Sequence, residues 1–269
     1  GPRGIDGDFD NGVIAHEYGH GLSIRMTGGP STGNCLNSDE QAGEGWSDWF
    51  GMVMTTTEAN TADERRGLAT YAISEPTTGR GLRTFPYSRS MAINPDTYAE
   101  VQGVESVHRI GSIWCAMIWD LYWDLIDEHT YDDDVFNGEG GNNMAMQLVI
   151  DGLKLQPCSP NFIDSRDAIL AADRANYNGE NECLIWRAFA RRGLGFSATA
   201  GGNEAFDLPS YALFKNVNAV EKAKGDQIKE VGIEWCIHQS QELKKAGVPC
   251  LHYYTMGDAE TTKRIVSAL

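Results

Sequence analysis

The sequence has no apolar run long enough to cross a membrane, few basic residues and no paired-cysteine motif. It contains 22 lysine and arginine residues against 38 aspartate and glutamate residues, giving a formal net charge of −16 at pH 7. A surface of this sign repels phosphates at long range, so nucleic acids and anionic membranes are poor partners. Neutral or cationic substrates are compatible with it, and so is a purely solubilising role for the charge. With 269 residues, of which 41% are hydrophobic, the chain is long enough to bury a core.

The six cysteines show none of the spacings of a zinc finger or a redox motif. Cys158 and Cys183 both border predicted helices, and two interpretations of them stand side by side. In an oxidising compartment a disulfide would join these helix ends; otherwise both residues are buried thiols.

Hydrophobic periodicity predicts a mainly helical protein up to about residue 210. The predicted helices are Val13–Ile24, Ser38–Met54, Ile110–Asp127, Asn143–Leu155, Phe162–Tyr177 and Asn181–Arg192. Asp10 or Asn11 can cap the first helix, and Gly193 ends the last one in a left-handed conformation. The stretch Pro76–Pro95 is predicted to be irregular. After Pro209 the composition changes, and the pattern predicts a helix at 228–246, a strand at 248–256 and a helix at 259–269.

The chemistry is concentrated in the segment His16–His20, which reads His-Glu-Tyr-Gly-His on a predicted helix. Histidines four residues apart lie on one helix face, where both imidazoles can bind one metal ion. Glu17 projects beside them and can accept a proton from a water that zinc has made more acidic. So short a pattern also arises by chance, and a zinc site needs a third ligand.

Glu44 provides that ligand, 24 residues after His20 and inside the second predicted helix. Asp48 follows one turn later, where its carboxylate can accept the free N–H of a zinc-bound histidine. Alone, either carboxylate would be assigned to a solvated helix face. Together with the histidine motif they predict a zinc site in which His16, His20 and Glu44 are ligands and Glu17 is the catalytic base.

Six segments of the chain resemble the fungalysin family of zinc endopeptidases, thermolysin relatives in the gluzincin group. They read GDFDNGVIAHEYGHGLS, GEGWSDW, LRTFPYS, NPDTY, SVHRIGSIW and FARRGLG, and the resemblance covers about residues 4–210. It implies a secreted, extracellular Zn2+ metalloprotease acting on proteins or peptides. It also implies a mainly α fold, the helical C-terminal lobe of a thermolysin-like zincin, and the same ligands and base.

His108 stands just before the predicted central helix, where it resembles the histidine that hydrogen-bonds the oxyanion in thermolysin-like enzymes. The alternative is an ordinary histidine at a helix start. Arg83 and Tyr87 either donate hydrogen bonds to the substrate or the transition state, or belong to a loop packed on the surface. We therefore leave these two outside the catalytic set.

Two features depart from the family pattern. Only 15 residues precede His16, and they do not form a signal peptide, so we expect the strand-rich N-terminal lobe to lie outside this chain. The tail at 211–269 is expected to be a separate short α/β segment. Its residues 225–269 resemble the last helix, strand and helix of a methylenetetrahydrofolate reductase barrel, on the segments Val231–Trp235 and Gly247–Met256.

The leading hypothesis is a zinc metalloendopeptidase lobe, residues 1–210, whose partners are a protein or peptide substrate and a missing N-terminal lobe or propeptide. The first alternative is a zinc-binding but catalytically idle fragment that lacks the substrate-binding lobe. The second alternative, a flavin- or folate-binding module, rests on the tail alone.

Overall fold

A computed structural model of the chain describes residues 5–209 and 259–269, together with positions 229–230, 232–233, 236–237, 240–241 and 244. The chain divides into two compact units, Gly1–Asp207 and Leu208–Leu269. The helices of the first unit are α1 (Asn11–Met26), α2 (Gly43–Val53), α3 (Val107–His129), α4 (Gly141–Leu155), α5 (Phe162–Tyr177) and α6 (Glu182–Arg191). Among the described residues, β-pairing is confined to isolated bridges. The mainly helical expectation is confirmed.

Helix α3 is the centre of the first unit, and it packs against α2, α4 and α6. Its residues from Ile110 to Trp123 are all buried. Trp114 contacts aromatic rings of three other helices, those of Trp46, Phe162 and Phe189. Large aromatic side chains of this kind contribute about 150–250 Å² of buried area each, so they dominate the stability of the core.

Two glycines let α1, α2 and α3 approach one another closely. A Cβ on Gly19 would lie 2.7 Å from Cα of Ser47, and a Cβ on Gly111 would lie 2.5 Å from Cβ of Glu44. Neither position has room for a side chain, so the backbones of α1 and α3 can pass directly beside α2. These contacts place the first turn of α2 next to the histidines of α1 and the start of α3.

The predicted start of the second helix, Ser38, is wrong by five residues, because α2 begins at Gly43. The polar residues before it are engaged elsewhere in the fold. The Ser38 hydroxyl donates to the carbonyl of Pro160, and the buried Glu40 carboxylate accepts from the Tyr98 hydroxyl and the Phe162 amide. Their contacts with distant segments compete with the capping role that the local pattern indicates.

The other predicted helices of the first unit are confirmed, with ends that shift by three residues at most. Asp10 is the residue that caps α1, accepting from the amides of Gly12 and Val13. Gly193, two residues after the end of α6, has a φ of 82°, the predicted left-handed conformation. The stretch Pro76–Pro95 contains no helix or strand.

The disulfide involves Cys158, but its partner is Cys35 and not Cys183. Cys35 lies in the loop before α2, and its carbonyl also accepts a hydrogen bond from the Ser159 amide at 2.6 Å. The bond therefore joins that loop to the connection between α4 and α5. Sequence neighbourhood could not identify this pair, because the two cysteines are 123 residues apart.

Replacing both Cys35 and Cys158 by alanine is expected to lower the free energy of unfolding by roughly 2–5 kcal/mol, because the disulfide closes a long loop in the unfolded chain. The midpoint of urea unfolding measures this loss. Cys236→Ser, which changes a partly exposed free thiol of the second unit, is the control. A double variant with the wild-type midpoint would contradict the assignment of a stabilising disulfide.

The second unit is described only in part. All described positions of the predicted helix at 228–246 are helical, and a C-terminal helix spans Ala259–Ser267. Arg264 of this helix makes two hydrogen bonds, of 2.8 and 2.6 Å, to the carboxylate of Glu230. The predicted strand at 248–256 lies outside the described residues. None of the described helices of either unit has the length and the apolar character that a membrane span requires.

Candidate metal centre

The structure brings together the three residues that the sequence predicts as ligands. Nε2 of His16 lies 3.1 Å from Nε2 of His20 and 3.4 Å from a carboxylate oxygen of Glu44. Nε2 of His20 lies 3.5 Å from the other oxygen of Glu44. Ligands held about 2.0–2.1 Å from a tetrahedral zinc ion stand about 3.3–3.4 Å apart. The spacing of the three groups therefore fits a zinc ion without any rearrangement of the backbone.

Asp48, on the next turn of α2 after Glu44, lies behind this cluster and has no exposed surface. Its Oδ1 is 2.7 Å from Nδ1 of His16, the imidazole nitrogen that faces away from the cluster. A carboxylate in this position holds the ring orientation and the tautomer in which Nε2 is free to bind a metal. The predicted supporting position of Asp48 agrees with this geometry.

Charge around the cluster shifts the pKa values of two of the candidate ligands in opposite directions. Burial alone would lower the pKa of His16, but the carboxylates of Asp48 and Glu44 together outweigh it and raise the pKa to about 9. Burial alone would raise the pKa of Glu44, but His16, His108 and His20 lower it to about 2. In the metal-free protein at neutral pH, Glu44 is therefore ionised and His16 carries a proton that a metal must displace.

Arg83 and Tyr87, which we left outside the catalytic set, are the other partners of Asp48. The Arg83 guanidinium donates to both Asp48 oxygens, at 2.6 and 2.5 Å, and lies 3.2 Å from Glu44. The Tyr87 hydroxyl donates to Oδ2 of Asp48. Tyr87 is 0% exposed, so it is neither a surface residue nor a group that a substrate can reach.

The environment of these two donors keeps both of them protonated. Burial and the negative charge of Asp48 raise the pKa of Tyr87 well above its usual value. Burial lowers the pKa of Arg83, but the hydrogen bonds and charge of Asp48 outweigh burial and raise it. No sequence signal links these residues to Asp48, because the Asp48–Tyr87 separation of 39 residues crosses an irregular segment.

Glu17 and His108 lie at the open side of the centre. Glu17 follows His16 on α1, its side chain is exposed, and no hydrogen bond or ion pair engages it within the described residues. His108 lies in the first turn of α3, with its side chain 61% exposed and Nε2 at 3.5 Å from Glu44. Buried carboxylate and guanidinium groups thus support the inner side, while a free carboxylate and an imidazole face the solvent.

Comparison with known proteins places this arrangement in a protein family. A sequence profile described as fungalysin metallopeptidase (M36) matches residues 2–198. The chain is 43% identical over 215 residues to extracellular metalloproteinase 2 of Arthroderma gypseum. It is 45% identical over 201 residues to extracellular metalloproteinase MEP of Neosartorya fischeri.

The two alignments cover 76% and 72% of this chain but only 34% and 31% of the relatives. The chain thus spans about a third of the length of the curated relatives it matches. The profile, by contrast, covers most of the chain, including every residue of the candidate metal centre. The chain belongs to the fungalysin metallopeptidase family.

Proposed function

We propose that this chain carries the catalytic lobe of a secreted zinc endopeptidase, which hydrolyses peptide bonds in proteins. The proposal is based on the side chains of His16, His20 and Glu44, whose potential ligand atoms lie 3.1–3.5 Å from one another. The extracellular names of the relatives support secretion. We assign the catalytic lobe to residues 1–210 and give the segment at 211–269 no part in the reaction.

The donor set favours zinc among the metals of metallopeptidases. Two imidazoles and one carboxylate form a typical ligand set of catalytic zinc, which leaves a further coordination position open. A zinc ion bound there would supply Lewis acidity and bring the pKa of a bound water close to neutral. His16, His20 and Glu44 would hold the ion, and Asp48 would fix the orientation of His16.

Glu17 and His108 have separate roles in the proposed reaction. The exposed carboxylate of Glu17 accepts a proton from the attacking water and passes it to the nitrogen of the leaving amine. His108 donates a hydrogen bond to the carbonyl oxygen of the substrate as negative charge develops on it. Water attacks the peptide carbon directly, so no covalent bond between enzyme and substrate is required.

Cleavage of a quenched fluorescent casein, with and without a zinc chelator, tests this function. The proposal expects chelator-sensitive cleavage, with new peptide termini identified by mass spectrometry. Cleavage that persists after metal removal would contradict the zinc mechanism. Zinc binding without any cleavage would instead support the idle-fragment alternative for this chain.

The pKa shifts predict how the stability of the metal-free protein depends on pH. The pKa of His16 rises from 6.5 to about 9 on folding, so its stabilising proton is fully present below pH 6.5 and lost as the pH rises through 9. The pKa of Glu44 falls from 4.5 to about 2, so its contribution is present above pH 4.5 and is lost only in strong acid. We expect the Tm of the chelated protein to decrease between pH 6.5 and 9.

Stabilisation by zinc depends on pH in the opposite sense to the stability of the metal-free protein. Protons compete less with the metal as the pH rises, so the increase in Tm produced by zinc should grow over the same interval.

For the metal-free protein, His16→Gln is the matched variant, because it keeps a polar side chain of similar length but removes the titrating group. Equal pH dependence in the variant and the wild type, both metal-free, would assign the effect to other groups.

A further inference from the structure

Tyr87 is a fully buried residue that contacts the metal centre through Asp48. Its hydroxyl donates to Oδ2 of Asp48, while Oδ1 of the same carboxylate faces Nδ1 of His16 at 2.7 Å. The carboxylate is a rigid plane, so holding one oxygen in place also fixes the direction of the other. Tyr87 can therefore act on the orientation of His16 without touching it.

The backbone around Tyr87 is fixed by three separate sets of hydrogen bonds. Tyr87 exchanges two with Arg66, at 2.9 and 2.7 Å. The carbonyl before it, that of Pro86, accepts from the buried Asn94 side chain at 3.2 Å. The carbonyl after it, that of Ser88, accepts from the fully buried Arg192 at 3.0 Å. A donor mounted on so constrained a segment loses little conformational freedom when it binds Asp48.

Arg83 and Tyr87 are not equivalent as partners of Asp48. Arg83 also contacts Glu44 at 3.2 Å and retains 9% exposure, so it lies within the centre itself. The Tyr87 side chain is fully buried behind Asp48, so a substrate cannot reach its hydroxyl. This separation makes Tyr87 the residue whose removal tests support of the centre without altering its open face.

We propose that Tyr87 is a positioning residue for the zinc site: its hydroxyl holds Asp48 so that His16 presents Nε2 to the metal. The inference rests on the proposed zinc-binding function and extends it to a residue that touches neither metal nor substrate. Outer partners of metal ligands typically change metal affinity by about 10- to 100-fold, and a residue acting through Asp48 falls at the lower end. Tyr87→Phe is expected to raise the zinc dissociation constant about tenfold.

Tyr98→Phe is the matched control. Tyr98 is also 0% exposed, and its hydroxyl donates to the buried carboxylate of Glu40, which belongs to no part of the metal centre. Both variants remove one hydroxyl from a buried tyrosine that binds a carboxylate. Their losses of thermal stability should be similar, whereas Tyr98→Phe should change the zinc dissociation constant by less than about twofold.

The experiment measures zinc dissociation constants of the full chain by competition with a chromogenic chelator, with Tm as a record of folding. A second measurement is independent of the metal: NMR of the metal-free protein with 15N-labelled histidine gives the solvent exchange rate of the His16 Nδ1 proton. Tyr87→Phe should accelerate this exchange, because Asp48 is then held less firmly, and Tyr98→Phe should not.

The outcomes separate this inference from the proposed function. Weaker zinc binding and faster exchange in Tyr87→Phe alone would support the positioning role. Wild-type zinc affinity and exchange in Tyr87→Phe, with only its Tm lowered as in Tyr98→Phe, would overturn that role and leave the zinc site intact. A wild-type chain that binds no zinc would overturn the proposed function and this inference together.

Discussion

Glu17→Gln is expected to keep one zinc ion per chain and to reduce kcat/KM for peptide hydrolysis by about 10²- to 10⁴-fold. Glutamine has nearly the same shape as glutamate but cannot accept the proton of the attacking water. Glu17 is exposed and has no hydrogen-bonding partner among the described residues, so the substitution removes no contact that stabilises the fold. The loss should therefore appear in turnover, and zinc content and Tm should be unchanged.

Glu128→Gln gives the matched control, since Glu128 is also an exposed helical glutamate but lies near the end of α3, outside the metal centre. It should retain wild-type turnover. Hydrolysis by Glu17→Gln at the wild-type rate, with zinc bound, would exclude Glu17 as the base. Loss of zinc from the same variant would instead indicate that Glu17 takes part in metal binding.

His16→Ala is expected to abolish zinc retention and to remove the stabilisation that the metal provides. At free zinc 1,000 times above the dissociation constant, that stabilisation amounts to about 4 kcal/mol. The variant also removes Nδ1 of His16, which lies 2.7 Å from Oδ1 of Asp48. Differential scanning calorimetry should show that chelator lowers the Tm of the wild type but leaves that of His16→Ala unchanged.

His129→Ala controls for the loss of an imidazole. His129 is partly buried at the end of α3 and contacts Asn181 at 2.8 Å, away from the candidate ligands. This variant should keep zinc and the chelator-sensitive Tm. If His16→Ala retained both properties, the ligand assignment would be wrong.

Local sequence patterns predicted much of the fold because they reflect interactions between residues that are close together in the sequence. The bounds of α5 are those predicted, since Phe162–Tyr177 has both a periodic apolar face and a capping box between Asn161 and Asp164. The start of α2 was wrong because the groups that engage Ser38 and Glu40 lie more than 50 residues away. The interpretation that pairs Cys158 with Cys183 was wrong for the same reason, because the true partner, Cys35, is 123 residues away in the sequence.

The residues of the candidate site also differ in how far local sequence patterns could predict them. His16 and His20 could be predicted as a pair because their spacing within one helix constrains where the side chains point. Glu44 lies on another helix, and only the combination of its motif with the histidine motif linked it to them. Arg83 and Tyr87 reach Asp48 from an irregular segment, whose path depends on contacts such as those of Arg66 and Arg192. Periodicity contains no information about such a path, so the sequence could not predict that both residues donate hydrogen bonds to Asp48.

The resemblance of residues 225–269 to a methylenetetrahydrofolate reductase barrel stays a prediction. Most of the segments that carry it, Val231–Trp235 and Gly247–Met256, lie outside the described residues. The helix at 259–269 is confirmed as Ala259–Ser267, but a helix alone does not identify a family.

The zinc content of the purified chain, measured by elemental analysis, shows whether these residues form a zinc site. His16, His20 and Glu44 are already spaced as zinc ligands, so we expect about one zinc ion per chain, removed by chelator and restored by added zinc. A chain that contains no zinc and takes up none at neutral pH would contradict it.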